Sequence, residues 1–377
     1  MSAKNREVES LRAVAILLTL FQHLPILLPW PDPPAWLKVV YDRLAFWGGV
    51  DLFFVISGFV VTQSLLNAFA GTANNGGSRW VEVKRFWVRR AFRLFPLAWL
   101  WVAIVLIATG CFNDSAVFGS LRENASQALW ILLYVYNWFA WSLSAAGVDI
   151  APLGVYWSLA VEEQFYLLLP MLLLLLKPRY LLTGLAVAIA AQFFLWRPAP
   201  WVEPMWGLRF EALVWGVLLA FFVHMPAHAA SRPAWMEPVA VRWLVNALLL
   251  AAIVGIPAAL MQHSFGTGLL AVACAIYIWL ASHEAEYVFP VGRLRLAFDW
   301  LGARSYAIYV IHVTAFMLIR EASFRIARAS GTIPDWDWAA GCLLSGLILV
   351  FVCAEICHRA IELPLRSYGR DISHKIT

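Results

Sequence analysis

In "ESLRAVAILLTLFQHLPIL" one arginine, Arg12, and one histidine, His23, interrupt an apolar run long enough to cross a bilayer. Ionisable groups inside such a run are costly, and each points to function. Imidazole exchanges a proton near neutral pH, so His23 is the candidate general base. Three further apolar runs carry related groups. "FWGGVDLFFVISGF" holds Asp51, "YWSLAVEEQFYLLLP" holds Glu162 and Glu163, and "SYAIYVIHVTAF" holds His312. Such a set can take a proton from a hydroxyl or relay protons across a membrane. Any single member can also be a hydrogen-bonded strut between helices.

A second group is basic. "RWVEVKRFWVRRAFRLFP" places Arg79, Lys84, Arg85, Arg89, Arg90 and Arg93 ahead of an apolar stretch. Arg85, Arg89 and Arg93 recur every four residues and share a helical face. Clustered guanidinium forks clamp phosphate, although such a run also serves to orient a membrane helix and to attract anionic headgroups.

The elements that position these residues follow from composition. Of 377 residues 62% are hydrophobic and 14% charged, which excludes a water-soluble globular fold. The chain reads as an all-α polytopic membrane protein, a single domain over residues 1–377 with no soluble domain and no cleaved leader. Ten spans are expected, near 10–29, 47–69, 86–110, 155–176, 180–196, 207–224, 243–262, 266–283, 298–319 and 336–360. The aromatic segment 126–141 is short and is expected to be re-entrant or interfacial. The positive charges favour this count. With 126–141 not crossing and the N-terminus cytoplasmic, only Lys38, Arg43, Arg122, Arg197, Arg209, Arg320, Arg325 and Arg328 of the 28 Lys and Arg lie outside. If the segment crosses, inside and outside hold equal numbers. Both termini are therefore expected in the cytoplasm.

With this topology Arg12 and His23 lie three turns, ~16 Å, apart on one face, at opposite sides of the bilayer. His23, Asp51, Glu162, Glu163 and His312 fall into one layer roughly 6–12 Å below the outer boundary. Asp51 is expected either to orient His23 or to cap its own helix. "GGV" at 48–50 and "NNGG" at 74–77 read as turns. The five cysteines have neither metal-ligand spacing nor a paired arrangement, and no metal site is expected.

Seven stretches in order, "ESLRAVAILLTLFQH", "GGVDLFFVISGFVVT", "FWVRRAFRLFP", "YWSLAVEEQFYLLLP", "LRFEALVWGVLLA", "LGARSYAIYVIH" and "IELPLR", resemble the acyltransferase 3 family of integral-membrane O-acyltransferases. They run from Glu9 to Arg366, nearly the whole chain. That family acetylates surface polysaccharides, peptidoglycan, nodulation factors and macrolides. The resemblance implies acyl-CoA as donor, most often acetyl-CoA, a catalytic role for His23, and residence in the bacterial cytoplasmic membrane among lipids. It implies a glycan, glycolipid or other hydroxyl acceptor, and no nucleic acid. One departure is "PLGVYWSL", where Val155 and Tyr156 stand in place of a histidine common in the family.

Joined to the depth argument, the expectation is that His23 acts as base on the acceptor hydroxyl, with Asp51 or Glu162 holding its ring. Direct transfer and an acyl-histidine intermediate both remain open. The nucleotide phosphates are expected on Arg12, Arg85, Arg89, Arg90 and Arg93. Trp157, Glu163, Tyr166, Arg209, Tyr309 and His312 are expected to face substrate, although Tyr166, Arg209 and Tyr309, like Ser57, Glu211, Ser305 and Tyr306, read equally as bonding helices together. Trp157 reads first as a membrane-interface anchor and only second as a sugar platform, and for a glycan acceptor the aromatic segment 126–141 is the expected stacking surface. A proton- or ion-coupled transporter of an anionic solute is the alternative, although the sequence has no repeat halves.

Overall fold

The computed structural model describes residues 5–28, 35–146, 150, 152–195, 208–260, 263–288, 292–332 and 336–376. Arg197 and the ends of the expected spans at residues 29, 196, 207 and 262 lie outside them. Among the described residues the chain is helical and carries no strand. The helices are α1 (Arg6–His23), α2 (Ala35–Arg43), α3 (Gly48–Asn75), α4 (Arg79–Cys111), α5 (Leu121–Leu132), α6 (Tyr136–Ala145), α7 (Tyr156–Leu175) and α8 (Pro178–Gln192). They continue as α9 (Glu211–Phe222), α10 (Pro226–Ala230), α11 (Val239–Leu260), α12 (Gly266–Ser282), α13 (Arg295–Ser330), α14 (Trp336–Cys357) and α15 (Leu363–His374).

Seven of the apolar segments, α1, α3, α4, α7, α11, α13 and the run from α14 into α15, are long and apolar enough to cross a membrane. The ten expected spans coincide with helices, but α8, α9 and α12 are short, of 15, 12 and 17 residues. The chain is a polytopic all-α membrane protein.

Segment 126–141 does not form one rod. α5 and α6 are separate, broken at Tyr134, whose φ is 55°, and Trp130 stacks on Phe139 at 3.6 Å between ring centres. "GGV" at 48–50 is not a turn, since it opens α3. A Cβ on Gly49 would lie 2.6 Å from the Ala15 carbonyl oxygen, so the glycine lets α3 press against α1. The second expected turn is present: Gly76, at φ 66°, ends α3. α2, the turn of π-helix at His358–Glu362 and the amphipathic α15 were not foreseen.

Close approach of backbones fixes the bundle's centre. α3 and α9 cross at Gly58 and Gly216, where a Cβ would meet the Leu213 and Val55 carbonyl oxygens at 2.1 and 2.3 Å. α1 and α13 meet at Gly302, whose Cβ would lie 2.4 Å from the Glu9 carbonyl oxygen. Without a hydrophobic drive between helices in lipid, such small-residue contacts supply the packing.

Polar ties define two faces. Glu7 accepts from the backbone N–H of Glu286 and Val288, both at 2.8 Å, and Arg85 donates to the Ile376 carbonyl at 2.9 Å. The start of α1, the start of α4, the segment after α12 and the C-terminal helix therefore share one basic face. At the opposite face α13, ~54 Å long at 1.5 Å per residue, outruns a hydrocarbon core of about 30 Å. Its projecting end holds the 112–120 loop: Glu321 accepts from the N–H groups of Asp114 (2.7 Å) and Ser115 (3.0 Å), and Arg325 pairs with Asp114 at 2.9 Å.

Candidate active site

α1 delivers His23 at its last residue, and α13 delivers His312. His312 is fully buried, whereas His23 is only partly buried. His23 Nδ1 lies 3.1 Å from His312 Nε2 and 2.9 Å from the Thr19 carbonyl oxygen, and His312 Nδ1 lies 2.8 Å from the Tyr309 carbonyl oxygen. A carbonyl only accepts, so the network assigns the His312 proton to Nδ1 and leaves its Nε2 as an acceptor. His23 then carries its proton on Nδ1, shared between Thr19 and His312. Its Nε2 is left as a lone pair, the form a general base needs.

The expected single layer resolves into separate clusters. Asp51 does not serve His23 through a contact of its own here: it is ion-paired with Arg209, each 1% exposed. Trp47 and Trp157 sandwich that guanidinium, with ring centres 4.7 and 5.7 Å from its central carbon. Arg209 and Trp157 are thus packed as an internal brace, and Trp157, 8% exposed, faces the bundle interior rather than its outer surface. His312, expected to face substrate, is enclosed.

Glu162 lies in a second cluster. Ser57 and Tyr166 donate to its two carboxylate oxygens at 2.8 and 2.9 Å, and Tyr166 also reaches Ser57 Oγ at 3.1 Å. The adjacent Glu163 points elsewhere, into a small pocket under α5 with Tyr134 and Tyr156. Tyr309 joins the clusters. Its hydroxyl is 2.6 Å from Ser158 Oγ and 3.2 Å from the Val155 carbonyl oxygen, while its own carbonyl holds His312.

Three chambers run inward from the basic face. The outermost, about 320 Å³, is lined by Arg89, Arg90, Arg93, Arg366 and Arg370, with Ser64, Phe86 and Leu363. The middle one, about 540 Å³, shares Ser64, Arg93 and Arg366 with it and adds Glu9, Arg12, Tyr306 and Glu362. The innermost, about 70 Å³, shares Arg12, Arg93, Ser305 and Tyr306 with the middle one and ends at Ser57, Ser158, Glu162, Tyr166 and Tyr309. His23 does not line it, and Tyr309 stands between the two.

Arg90 lies over the Tyr166 ring at 5.0 Å, and Arg12 pairs with Glu9. Arg85, expected at the phosphate site, instead pairs with Glu82 at 2.6 Å and lines none of the three chambers. Among the described residues, none of Arg89, Arg90, Arg93, Arg366 and Arg370 has a carboxylate within ion-pairing distance. Arg366 and Arg370 were missed in the sequence. The signal was their four-residue spacing after "IELP", on the helix that packs against α4 where Gly369 meets Phe92.

Comparison with known proteins places these residues in context. A family model described as an acyltransferase domain matches residues 5–355. The peptidoglycan O-acetyltransferase OatA of Listeria monocytogenes is 27% identical over 96% of this chain and 56% of its own length. The O-acetyltransferase OatA of Staphylococcus aureus is 27% identical over 85% of this chain and 53% of its own. The putative peptidoglycan O-acetyltransferase YrhL of Bacillus subtilis is 27% identical over 87% and 52%. The chain thus spans about half the length of the curated relatives it matches. No solved structure matches it.

Proposed function

The chain belongs to the acyltransferase-domain family matched over residues 5–355, and from that premise we propose that it is a membrane O-acyltransferase. It takes an acyl group, most simply acetyl, from cytoplasmic acyl-CoA and passes it to a hydroxyl of a cell-envelope glycan. The relatives' names support the glycan acceptor and the acetyl group. The basic face is the cytoplasmic one in this reading, in a bacterial cytoplasmic membrane, with both termini inside.

The observation that carries the donor assignment is the chamber of five guanidiniums, none of them within ion-pairing distance of a carboxylate among the described residues, continuous with a passage that ends at Tyr309. Clustered guanidiniums with no direct ion pair are matched by a polyanion, and the diphosphate and ribose phosphate of CoA supply one. The long arm of CoA then lies along the passage, and the thioester reaches the innermost chamber.

At the inner end, His23 Nε2 accepts the proton of the acceptor hydroxyl as its oxygen attacks the thioester carbonyl carbon. The oxyanion of the tetrahedral intermediate takes a hydrogen bond from a hydroxyl lining the chamber, that of Ser158. Collapse breaks the carbon–sulfur bond. The CoA thiolate leaves with the proton held on His23, giving CoA and the O-acyl ester. His312 keeps His23 in the tautomer that allows this, and Tyr309 moves aside to join the chamber to His23.

Purified protein in nanodiscs, given radiolabelled acetyl-CoA and a muropeptide or envelope glycan, tests the reading. Saturable binding that CoA competes for, with label appearing as ester on the glycan, is expected. Folded protein with no saturable acetyl-CoA binding contradicts it.

A further inference from the structure

One wall of the passage is a single face of α3. Ser57 lines the innermost chamber, Val60 lines the innermost and the middle ones, and Gln63, Ser64 and Asn67 carry the wall through the middle one. Recurrence at three and four residues is the signature of one helical face. At the inner end the polar group is already engaged, since Ser57 donates to Glu162 at 2.8 Å. Thr62, fully buried, donates to the Gly58 carbonyl of its own helix at 2.6 Å.

Gln63 and Asn67 do neither. Gln63 is half-buried and Asn67 exposed, both line the middle chamber, and neither side-chain amide has a hydrogen-bond partner among the described residues. Both polar atoms of Gln63 keep open surface. Amides in an apolar spanning helix ordinarily tie it to a neighbour. Two that do not, and that border a cavity instead, serve what enters the cavity.

The full match for such a side chain is another amide, which returns one N–H and one carbonyl to its own carbonyl and NH₂. An anionic group would be met by Arg12, Arg93 and Arg366 of the same chamber and has no need of amides. The spacing agrees. Gln63 and Asn67 are four residues apart, ~6 Å along the helix axis. Between its phosphates and its thioester an acyl-CoA carries two secondary amides joined by a β-alanine unit. That unit is one methylene longer than a peptide residue, so the amides recur at roughly 5 Å against about 3.8 Å between peptide Cα atoms. α3 starts at the inner chamber, where Val50 lines it, and long helical side chains lean toward the N-terminus. Gln63 therefore leans toward the thioester end, and Asn67 follows about one turn behind.

We infer that Gln63 and Asn67 are donor-binding residues that read the two amides of the acyl-CoA arm, Gln63 the one nearer the thioester and Asn67 the one nearer the phosphates. In each pair the side-chain carbonyl accepts the arm's N–H, and the side-chain NH₂ donates to the arm's carbonyl. This rests on the acyl-CoA reading above and deepens it: the guanidiniums hold one end of the donor, and α3 sets its register along the passage.

The test is competition binding and initial rates in nanodiscs with acetyl-CoA and two analogues, each with CH₂ in place of one amide N–H of the arm. Wild type is expected to bind each analogue about 3-fold to 10-fold more weakly than acetyl-CoA, the range for a neutral hydrogen bond. Gln63→Met is expected to weaken acetyl-CoA binding by a similar factor, to lose nothing further with the analogue altered beside the thioester, and to keep the full loss with the other. Asn67→Leu is expected to show the reverse pattern, and Gln63→Ala and Asn67→Ala serve if either does not fold. A purely structural role would weaken binding of all three donors alike. Folded variants that keep the full loss with both analogues overturn the inference, as does wild type that binds both analogues as tightly as acetyl-CoA. An acetyl-CoA analogue with hypoxanthine for adenine is expected to bind wild type and variants in the same ratio to acetyl-CoA. A ratio changed by either variant would put the base rather than the arm against α3 and also overturns it. Absence of saturable acetyl-CoA binding by wild type is a different result, which overturns the donor reading and this inference with it.

Discussion

His312 Nε2 lies 3.1 Å from His23 Nδ1, and the buried ring of this pair decides which nitrogen of the accessible ring is basic. The Tyr309 carbonyl fixes the His312 proton on Nδ1, and His312 in turn holds the His23 proton on Nδ1. On this geometry His312→Gln is expected to lower kcat about 10-fold to 100-fold at unchanged donor KM. That is less than the ~10²-fold to 10⁴-fold loss that general-base removal in His23→Ala brings. Steady-state kinetics with acetyl-CoA varied at fixed acceptor separates the two, and equal losses would place His312 in direct contact with substrate.

The guanidinium chamber predicts a different kinetic signature. Arg89→Ala and Arg370→Ala are each expected to raise the acetyl-CoA KM about 10-fold with little change in kcat, because phosphate contacts persist from ground state to transition state. Added salt weakens wild-type donor binding and weakens it less in the variants. Arg85→Ala, whose side chain lies outside the chamber, is expected to leave the donor KM within about twofold.

The Asp51–Arg209 ion pair predicts a stability asymmetry. Removing one partner leaves a buried charge uncompensated, a loss of about 3–5 kcal/mol. Asp51→Asn and Arg209→Met should each lower the unfolding midpoint in detergent, and Asp51→Leu combined with Arg209→Met should recover part of the loss. A double variant as unstable as the sum of the single ones would show that the pair is not the coupled unit.

At the α1–α13 contact, Gly302→Val forces a side chain against the Glu9 backbone. Overpacking of this kind costs about 1–3 kcal/mol, and here it also shifts the helices that bring His23 to His312. Thermal unfolding and turnover should fall together. Unchanged turnover at lowered stability would mean that the histidine pair tolerates the shift.

A pH effect is expected at the basic face, beyond the end of α12. His283 stacks on His228 with ring centres 4.2 Å apart, near Arg232, Trp279 and Tyr287. Burial first, then the charges of His228 and Arg232, push the His283 pKa down to about 4. The folded state therefore binds fewer protons than the unfolded state between about pH 6.5 and pH 4. Stability from this site is complete above pH 6.5 and is lost as the pH falls toward 4. A plot of unfolding midpoint against pH should be flatter over that window in His283→Asn than in wild type.

The sequence made the helices legible because ten apolar runs are separated by polar breaks, and the charge balance kept 126–141 from counting as a span. It did not make the site's partnerships legible. Depth estimated from helix ends placed Asp51 level with His23 but says nothing of rotation about the helix axis. Asp51 in fact faces Arg209, on the segment leading into α9. For His23 and His312 the shared depth does correspond to contact. Arg366 and Arg370 were hidden for another reason: basic residues after a last span read as topology until α15 is seen folded back on α4.

If His23 performs the chemistry while the arginine chamber holds the donor, one measurement separates the two roles. Equilibrium binding of radiolabelled acetyl-CoA and acceptor-dependent CoA release would be recorded side by side for wild type and His23→Ala in nanodiscs. In the variant the dissociation constant is expected to stay within about twofold and release to fall at least about 100-fold. Release that survives His23→Ala, with binding intact, would contradict a catalytic His23.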